Sequence, residues 1–266
     1  MRGSVRGLDR VFGAWQARPH DARPIILMDF DGTLAEFQID PAAVTLPPSR
    51  QILLQTLAQR ADLSAGIVSG RRIADLRERV PCAPTMFYAG LHGLEIEGPG
   101  LRFAHNAVAL AAPGISLLVK DLRRAVKPLA GAFVEDKTYS VVLHVRGASK
   151  ADRLHAITRF NALAGPLLAE GTVRLQPGDH VFELLPNVDW AKGDAVRAIV
   201  RHVEAESKEP VWPVYIGDDQ TDEDAFDEIG ANGLTIAVGK RPTGASFAVD
   251  DPAAVECLLK TIVATE

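Results

Sequence analysis

Asp29-Phe30-Asp31-Gly32-Thr33-Leu34 follows the apolar run Pro24-Ile25-Ile26-Leu27-Met28. A strand ending there delivers two carboxylates, at i and i+2, to the same side of the backbone. Gly32 permits a sharp turn and lets backbone N–H groups approach an anion, and Thr33 adds a hydroxyl. Carboxylates this close repel unless a cation sits between them, and Mg²⁺ favours sites of carboxylate plus water. The alternative is a strand that merely ends in an acidic turn. A second acidic stretch, Gly217-Asp218-Asp219-Gln220-Thr221-Asp222-Glu223-Asp224, follows Val214-Tyr215-Ile216. Asp222, Glu223 and Asp224 suit the first turn of a helix capped by Thr221. Asp218 lies nearest the strand end and is the best metal candidate. EF-hand spacing is absent. Lys192-Gly193-Asp194 opens a helical pattern, where a lysine opposes the helix dipole. That placement suits a group facing an anion; a solvated lysine is the alternative. Ser69-Gly70-Arg71 puts a hydroxyl at another strand end. Two carboxylates, a hydroxyl, a lysine and a third carboxylate together suit phosphoryl transfer with Mg²⁺.

The elements that must position these groups alternate. Apolar runs at 24–28, 63–68, 85–88, 214–216 and 234–238 read as buried strands, each ending at small or acidic residues. Helical patterns lie at 49–60, 71–80, 192–206 and 222–229. Strand, turn and helix in repetition predict a parallel α/β sheet, whose ligands sit beyond the carboxyl ends of the strands. The middle of the chain reads differently. It predicts a helix at 115–129, one strand or two with a bend over 133–146, and a helix at 150–168. A hairpin over 173–185 would turn at Gln176-Pro177-Gly178-Asp179. Prolines near 113 and 186 mark its borders. We read residues 108–188 as an α+β insertion between core segments 1–107 and 189–266. Within the first 23 residues, Val11, Phe12 and Trp15 belong to a docking helix or to a frayed tail.

The order D-x-D-G-T, Ser, Lys, acidic G-D-D resembles that of the haloacid dehalogenase-like phosphatases. Gly217 to Phe226 is similar to the G-D-D-x-T-D-E-D-A-F form of the trehalose-6-phosphate phosphatase family, and Ala89-Gly90-Leu91-His92-Gly93 to its A-G-x-H-G. In the insertion, Glu135-Asp136-Lys137, Ser140 and His144-Val145-Arg146 resemble E-x-K followed by S-x-x-x-H-Y-R, with Val145 in place of the aromatic. Glu183 falls in an E-L-x-P stretch. Ala191 precedes Lys192 where Gly or Ser is commoner. Neither departure removes a charged group. The resemblance runs from about residue 24 to the C-terminus and leaves the first 23 residues aside.

The resemblance implies a Rossmann-like parallel-sheet core with helices on both faces and an inserted α/β cap. It implies that Asp29 is the nucleophile, forming an aspartyl-phosphate. Asp31 would be general acid and then base, a role that needs a proton on Asp31 at the first step. Thr33 and Ser69 would hydrogen-bond phosphoryl oxygens, and Lys192 would offset developing charge. Mg²⁺ would be held by Asp29, the Asp31 backbone carbonyl and Asp218, supported by Asp219 and Asp222. Gly32, Gly70, Arg71, His92, Glu135, Lys137, Arg146 and Glu183 would meet the substrate. A disaccharide needs paired donors and acceptors, and Glu135, Lys137 and Glu183 supply both. Exposed cross-strand charge pairs are the alternative for those three. His92, His144 and Arg146 carry the weaker expectation, since a strand histidine more often packs than binds.

Composition bounds the rest. The 266 residues are 47% hydrophobic, with 29 basic and 34 acidic side chains and a net charge of -5. That balance argues against coating nucleic acid or an anionic membrane, and 6% aromatics argue against a single-strand stacking platform. Cys82 and Cys257 stand apart from any Cys/His cluster, which reads as reduced thiols in a cytoplasmic protein. No signal peptide or membrane span is expected. The resemblance implies a small sugar phosphate as partner and leaves association with a trehalose-phosphate synthase open. Competing readings are another capped sugar-phosphate phosphatase (for sucrose phosphate, mannosylphosphoglycerate or a hexose phosphate) and a non-catalytic sugar-phosphate-binding module.

Overall fold

The computed structural model describes residues 5–38, 40–82 and 84–265, with only the backbone of Val5 and Arg6. The chain divides into two compact units, residues 1–103 with 190–266, and residues 104–189. The first unit runs β1 (Val5–Arg6), α1 (Leu8–Gln16), β2 (Arg23–Met28), α2 (Pro48–Gln59), β3 (Ser64–Val68), α3 (Ile73–Arg79), β4 (Phe87–Gly90), β5 (Glu95–Gly98) and β6 (Leu101–Ala104). The second holds α4 (Asn106–Val126), β7 (Phe133–Asp136), β8 (Val141–His144), α5 (Lys150–Ala169), β9 (Val173–Gly178) and β10 (Val181–Pro186). The chain then completes the first unit with α6 (Lys192–Ser207), β11 (Val211–Gly217), α7 (Glu223–Ile229), β12 (Leu234–Val238), β13 (Phe247–Val249) and α8 (Pro252–Ala264).

The core sheet has the order β1-β13-β12-β11-β2-β3-β4-β5-β6. The paired strands from β1 to β4 are parallel, and β5 joins β4 antiparallel. The expected sheet is therefore present, extended by a hairpin, β5 and β6, that the apolar runs did not disclose. The central strand β2 shows why the site residues lie where they do. Ile26 and Met28 pack with α1, α2, α3 and α8 on one face, and Ile25 and Leu27 with α6 and α7 on the other. Burial on both faces explains its unbroken apolar sequence. Carboxylates would be costly anywhere along it, so they come where it ends. Ala191 N–H donates to the Asp194 carboxylate at 2.9 Å, starting α6 with Lys192 as its first residue.

In the second unit, a four-stranded antiparallel sheet, β7-β8-β10-β9, has α4 and α5 on one face. Two expectations need correction. Pro113 lies inside α4 and marks no border, because the helix starts at Asn106, where the His105 ring accepts from Ala107 N–H at 3.2 Å. Pro113 is on the exposed side, where the carbonyl freed by its missing N–H costs least. The hairpin turns at Asp179-His180, with His180 left-handed at φ 58°, while Gln176, Pro177 and Gly178 belong to β9. β9 is an edge strand, the place in a sheet that tolerates proline.

Helix α1 resolves the docking alternative for the N-terminal residues. Val11 and Trp15 are buried in the core, and Trp15 lies 6.0 Å from Trp212, centroid to centroid. We expect Trp15→Ala to lower the free energy of chemical unfolding by about 3 kcal/mol. An unchanged denaturation midpoint would show that α1 contributes nothing to the core.

Candidate active site

Four strand ends and one helix start converge in the first unit. Asp29 follows β2, and its N–H still donates to Ile216 O at 2.8 Å, so the sheet carries it to its carboxyl edge. The following loop closes on itself, Leu34 and Ala35 N–H both donating to Phe30 O. Gly32 has φ +84°, and a Cβ there would stand 2.1 Å from the Asp218 carboxylate. The glycine therefore serves both the turn and the approach of Asp218. Thr33, fully buried, donates its hydroxyl to Asp218 Oδ1 at 3.0 Å.

Lys192 is the charge centre. Its Nζ donates to Asp29 Oδ1 at 2.8 Å and to Asp222 Oδ1 at 2.7 Å, and all three side chains are almost completely buried. Tyr215 donates its hydroxyl to the same Asp222 oxygen at 2.8 Å, and Asp219 N–H donates to Asp222 Oδ2 at 2.9 Å. The lysine pKa is raised, because the Asp222 and Asp29 charges outweigh a burial that alone would lower it. The Asp29 pKa stands well above the usual carboxylate range. Burial is the largest cause and the neighbouring Asp222 and Asp218 charges add to it, against the pull of Lys192. Burial and the Asp222 charge likewise raise Asp218 to about 6.

This excess of negative charge fits a divalent cation. Oxygens of Asp29, Asp218 and Asp222 lie within 4.8 Å of one another. Asp222 already accepts on both oxygens, from Lys192, Tyr215 and Asp219 N–H, so its bonds are those of a support for the lysine. Asp29 and Asp218 supply the carboxylates best placed to ligate. The carboxylate of exposed Asp219 accepts from Gln220 N–H at 2.6 Å and caps the short helical turn that follows.

Arg71 is engaged within the protein. It donates to both oxygens of Asp31, at 2.6 and 2.7 Å, to Asp75 at 2.8 Å and to Pro41 O at 2.8 Å. The Ser69 hydroxyl is buried at the end of β3 and accepts from Arg71 N–H at 3.2 Å. The His92 ring lies over Gly70, where a Cβ would meet it at 2.9 Å. Of the residues expected in the core unit, the structure thus gathers Asp29, Asp31, Gly32, Thr33, Ser69, Gly70, Arg71, His92, Lys192, Asp218 and Asp222 along one sheet edge.

The inserted unit carries its own cluster on the sheet face opposite its helices. Glu135 and Glu183 both pair in register with Val142. Lys137 and Ser140 donate to Glu183 Oε1 at 3.2 and 2.7 Å, and the His144 ring meets Glu135 Oε2 at 2.8 Å. Burial would raise the Glu135 pKa, but the His144 hydrogen bond and the Lys137 charge outweigh it and hold it low. Arg146 follows β8 by two residues. It bonds Asp179 O and Oδ2, each at 3.0 Å, in the hairpin turn at the other end of the sheet from Lys137.

Residues 27–253 match the trehalose-phosphatase family. The chain belongs to that family. A trehalose-phosphate phosphatase of Mycobacterium marinum is 39% identical over 239 residues, which cover 88% of this chain and 60% of the relative. The chain thus spans about three fifths of the length of the curated relatives it matches. The C-terminal domain of a C. albicans trehalose-6-phosphate phosphatase superposes with TM-score 0.78 at 21% identity, over 99% of this chain and 98% of that one. A haloacid dehalogenase-like hydrolase from Bacteroides thetaiotaomicron reaches 0.62 at 13% identity, over 90% and 99%. Both similarities carry the fold.

Reading the sequence missed Tyr215, which looked like one more apolar strand residue, and Arg50. Arg50 is buried and donates to Leu34 O at 2.8 Å and Glu256 at 3.0 Å, tying the first acidic loop to α2 and α8. The signal available was a lone arginine in an otherwise ordinary helix.

The raised Asp218 pKa gives a signed prediction. A carboxyl whose folded pKa exceeds its unfolded value contributes stability at low pH that is lost as pH rises through the folded value. For Asp218 that loss runs from about 3.8 to about 6. Without divalent cations, Asp218→Asn should therefore be at least as stable as the native chain at pH 7.5. On adding Mg²⁺ only the native chain should gain in melting temperature, and the gain should shrink below pH 6. Equal gains for both proteins would remove Asp218 from the metal site.

Proposed function

We propose that the chain is a Mg²⁺-dependent phosphatase that hydrolyses trehalose 6-phosphate to trehalose and phosphate, the last step of trehalose synthesis. The observation that carries this reading is the Asp29 carboxylate held at 2.8 Å by a buried Lys192, at the edge of a metal-competent acidic site in a chain of the trehalose-phosphatase family. Mg²⁺ held by Asp29, the Asp31 carbonyl and Asp218 would offset charge on the phosphoryl oxygens.

The remaining steps belong to the chain's own residues. The Asp29 oxygen that does not face Lys192 attacks phosphorus while the bond from phosphorus to the sugar oxygen breaks, and Asp31 gives that oxygen a proton. Water then attacks the aspartyl-phosphate, its proton passes to Asp31, and the bond to Asp29 breaks to release phosphate. Ser69, whose oxygen accepts from Arg71 N–H, offers its O–H to a phosphoryl oxygen. Lys192 accompanies the charge on Asp29 throughout. Both Asp31 oxygens accept from Arg71 in this structure, so the proton that Asp31 passes uses the second lone pair of one of them. Glu135, Lys137 and Glu183 read the sugar hydroxyls, supplying acceptors and a donor; Lys137 and Glu183 hold each other, and His144 holds Glu135.

Phosphate release from trehalose 6-phosphate, sucrose 6-phosphate, glucose 6-phosphate and mannose 6-phosphate, with Mg²⁺ or EDTA, tests the reading. Turnover should be confined to the trehalose ester and require Mg²⁺. Asp29→Asn should reduce kcat by at least about 10³-fold, the scale of losing a nucleophile. Full activity, with deamidation excluded, would sink the mechanism. Lys137→Ala should raise KM for trehalose 6-phosphate about tenfold or more while hydrolysis of p-nitrophenyl phosphate stays within twofold, as expected for a lost charge-assisted hydrogen bond to sugar. Parallel losses on both substrates would assign Lys137 a structural role instead.

A further inference from the structure

Arg241 lies in the loop after β12, outside every motif discussed above. Its guanidinium bridges the second acidic loop. Nε donates to Asp218 O and Nη2 to Asp219 O, both at 2.6 Å, and Nη1 donates to Pro242 O at 3.0 Å and to the Glu223 carboxylate. Glu223 in turn accepts from the Thr243 hydroxyl at 2.8 Å and from Gly244 N–H at 2.7 Å. The loop after β12 is thus clipped to the acidic loop by one ion pair and its attached hydrogen bonds.

The consequence for Asp218 is specific. The peptide unit that leaves Asp218 is held at both of its polar atoms. Its carbonyl accepts from Arg241 Nε, and its N–H, that of Asp219, donates to Asp222 Oδ2 at 2.9 Å. A peptide unit is planar, so fixing both atoms fixes the Cα that carries the Asp218 side chain. That side chain is set in turn by the Thr33 hydroxyl and by contact with Gly32. A guanidinium suits the task because its donors form a rigid planar fork that spans two successive carbonyls, where the single nitrogen of an ammonium would hold them less firmly. Glu223 balances the Arg241 charge, so the clip does not repel a cation at Asp218.

We infer that Arg241 and Glu223 are positioning residues for the metal: their clip holds Asp218 in ligating position through its main chain. The inference rests on the metal site proposed above. It assigns Glu223 a task other than that of a first-turn carboxylate serving the helix dipole.

The test measures Mn²⁺ binding to the full chain by the electron paramagnetic resonance signal of free Mn²⁺, a readout independent of turnover. Oxygen sites of this kind take Mn²⁺ as well as Mg²⁺. Arg241→Ala should weaken Mn²⁺ affinity by about 10-fold to 100-fold, the usual cost of losing a group that orients a metal ligand. Arg241→Lys, able to reach one carbonyl, should fall between. Glu223→Gln should weaken binding in the same direction and serves if Arg241→Ala does not fold. At saturating metal the KM for trehalose 6-phosphate should remain native. Native Mn²⁺ affinity in folded Arg241→Ala and Glu223→Gln overturns the inference, as does a raised KM at native metal affinity, which would place Arg241 on the substrate. A native chain that binds no Mn²⁺ overturns the metal site and the clip together, whereas native binding without turnover overturns only the proposed activity.

Discussion

A lysine ammonium and two carboxylates, buried together where four strands end, set the terms for everything around them. None of the three could be buried alone, since an isolated charge in the interior costs several kcal/mol even after relaxation. Lys192 makes Asp29 tolerable, Asp222 completes the balance, and Tyr215 and Asp219 N–H complete Asp222. The geometry follows from that need. β2 and β11 must be neighbours and end together, α6 must begin at their edge, and the acidic loop must fold back far enough for Asp222 to reach the lysine. Against such a set, a further carboxylate at Asp218 is in excess, and this excess makes the site receptive to a cation.

The arrangement divides labour by depth. The innermost groups hold charge, and the next layer holds backbone. Arg50 bonds the Leu34 carbonyl, Arg71 bonds the Pro41 carbonyl together with Asp31, and Arg241 bonds the carbonyls of Asp218 and Asp219. Three arginines therefore brace the two acidic loops through main-chain oxygens. Arginine suits this because its charge persists whatever the pH and its planar fork loses little freedom per bond. The inserted unit uses a different device, in which Glu135, Lys137, Ser140, His144 and Glu183 fix one another across strands without burying a net charge deeply.

Much of this was legible in the sequence where local physics dominated. The run 24–28 read as a buried strand with the acidic residues at its carboxyl end, which is where β2 places them. Lys192 stood out because it opposed the dipole of its helix. What escaped depended on distant partners or on exceptions to local rules. Arg71 and Asp31 are 40 positions apart, and Arg241 and Asp218 23 apart, with no periodicity linking them. Pro113 suggested a boundary because proline usually ends helices, yet an exposed helix face accommodates it. Pro177 suggested a turn, yet an edge strand accepts it. Arg146 was grouped with Glu135, Lys137 and Glu183 by motif, and its bonds to Asp179, 33 positions away, were invisible in the sequence.

The split of the core along the chain bears on how the protein must be made. β2 lies between β3, synthesised soon after it, and β11, synthesised only after the whole inserted unit. As the chain emerges from the ribosome, β2 therefore waits with one edge unpaired and a strongly apolar sequence, a form prone to pairing with other chains. Asp29 waits as well, without the lysine that later neutralises it. Its charge sits at the end of that open edge and disfavours stacking against an identical nascent chain. That open edge closes only when Val211–Gly217 arrives beside it.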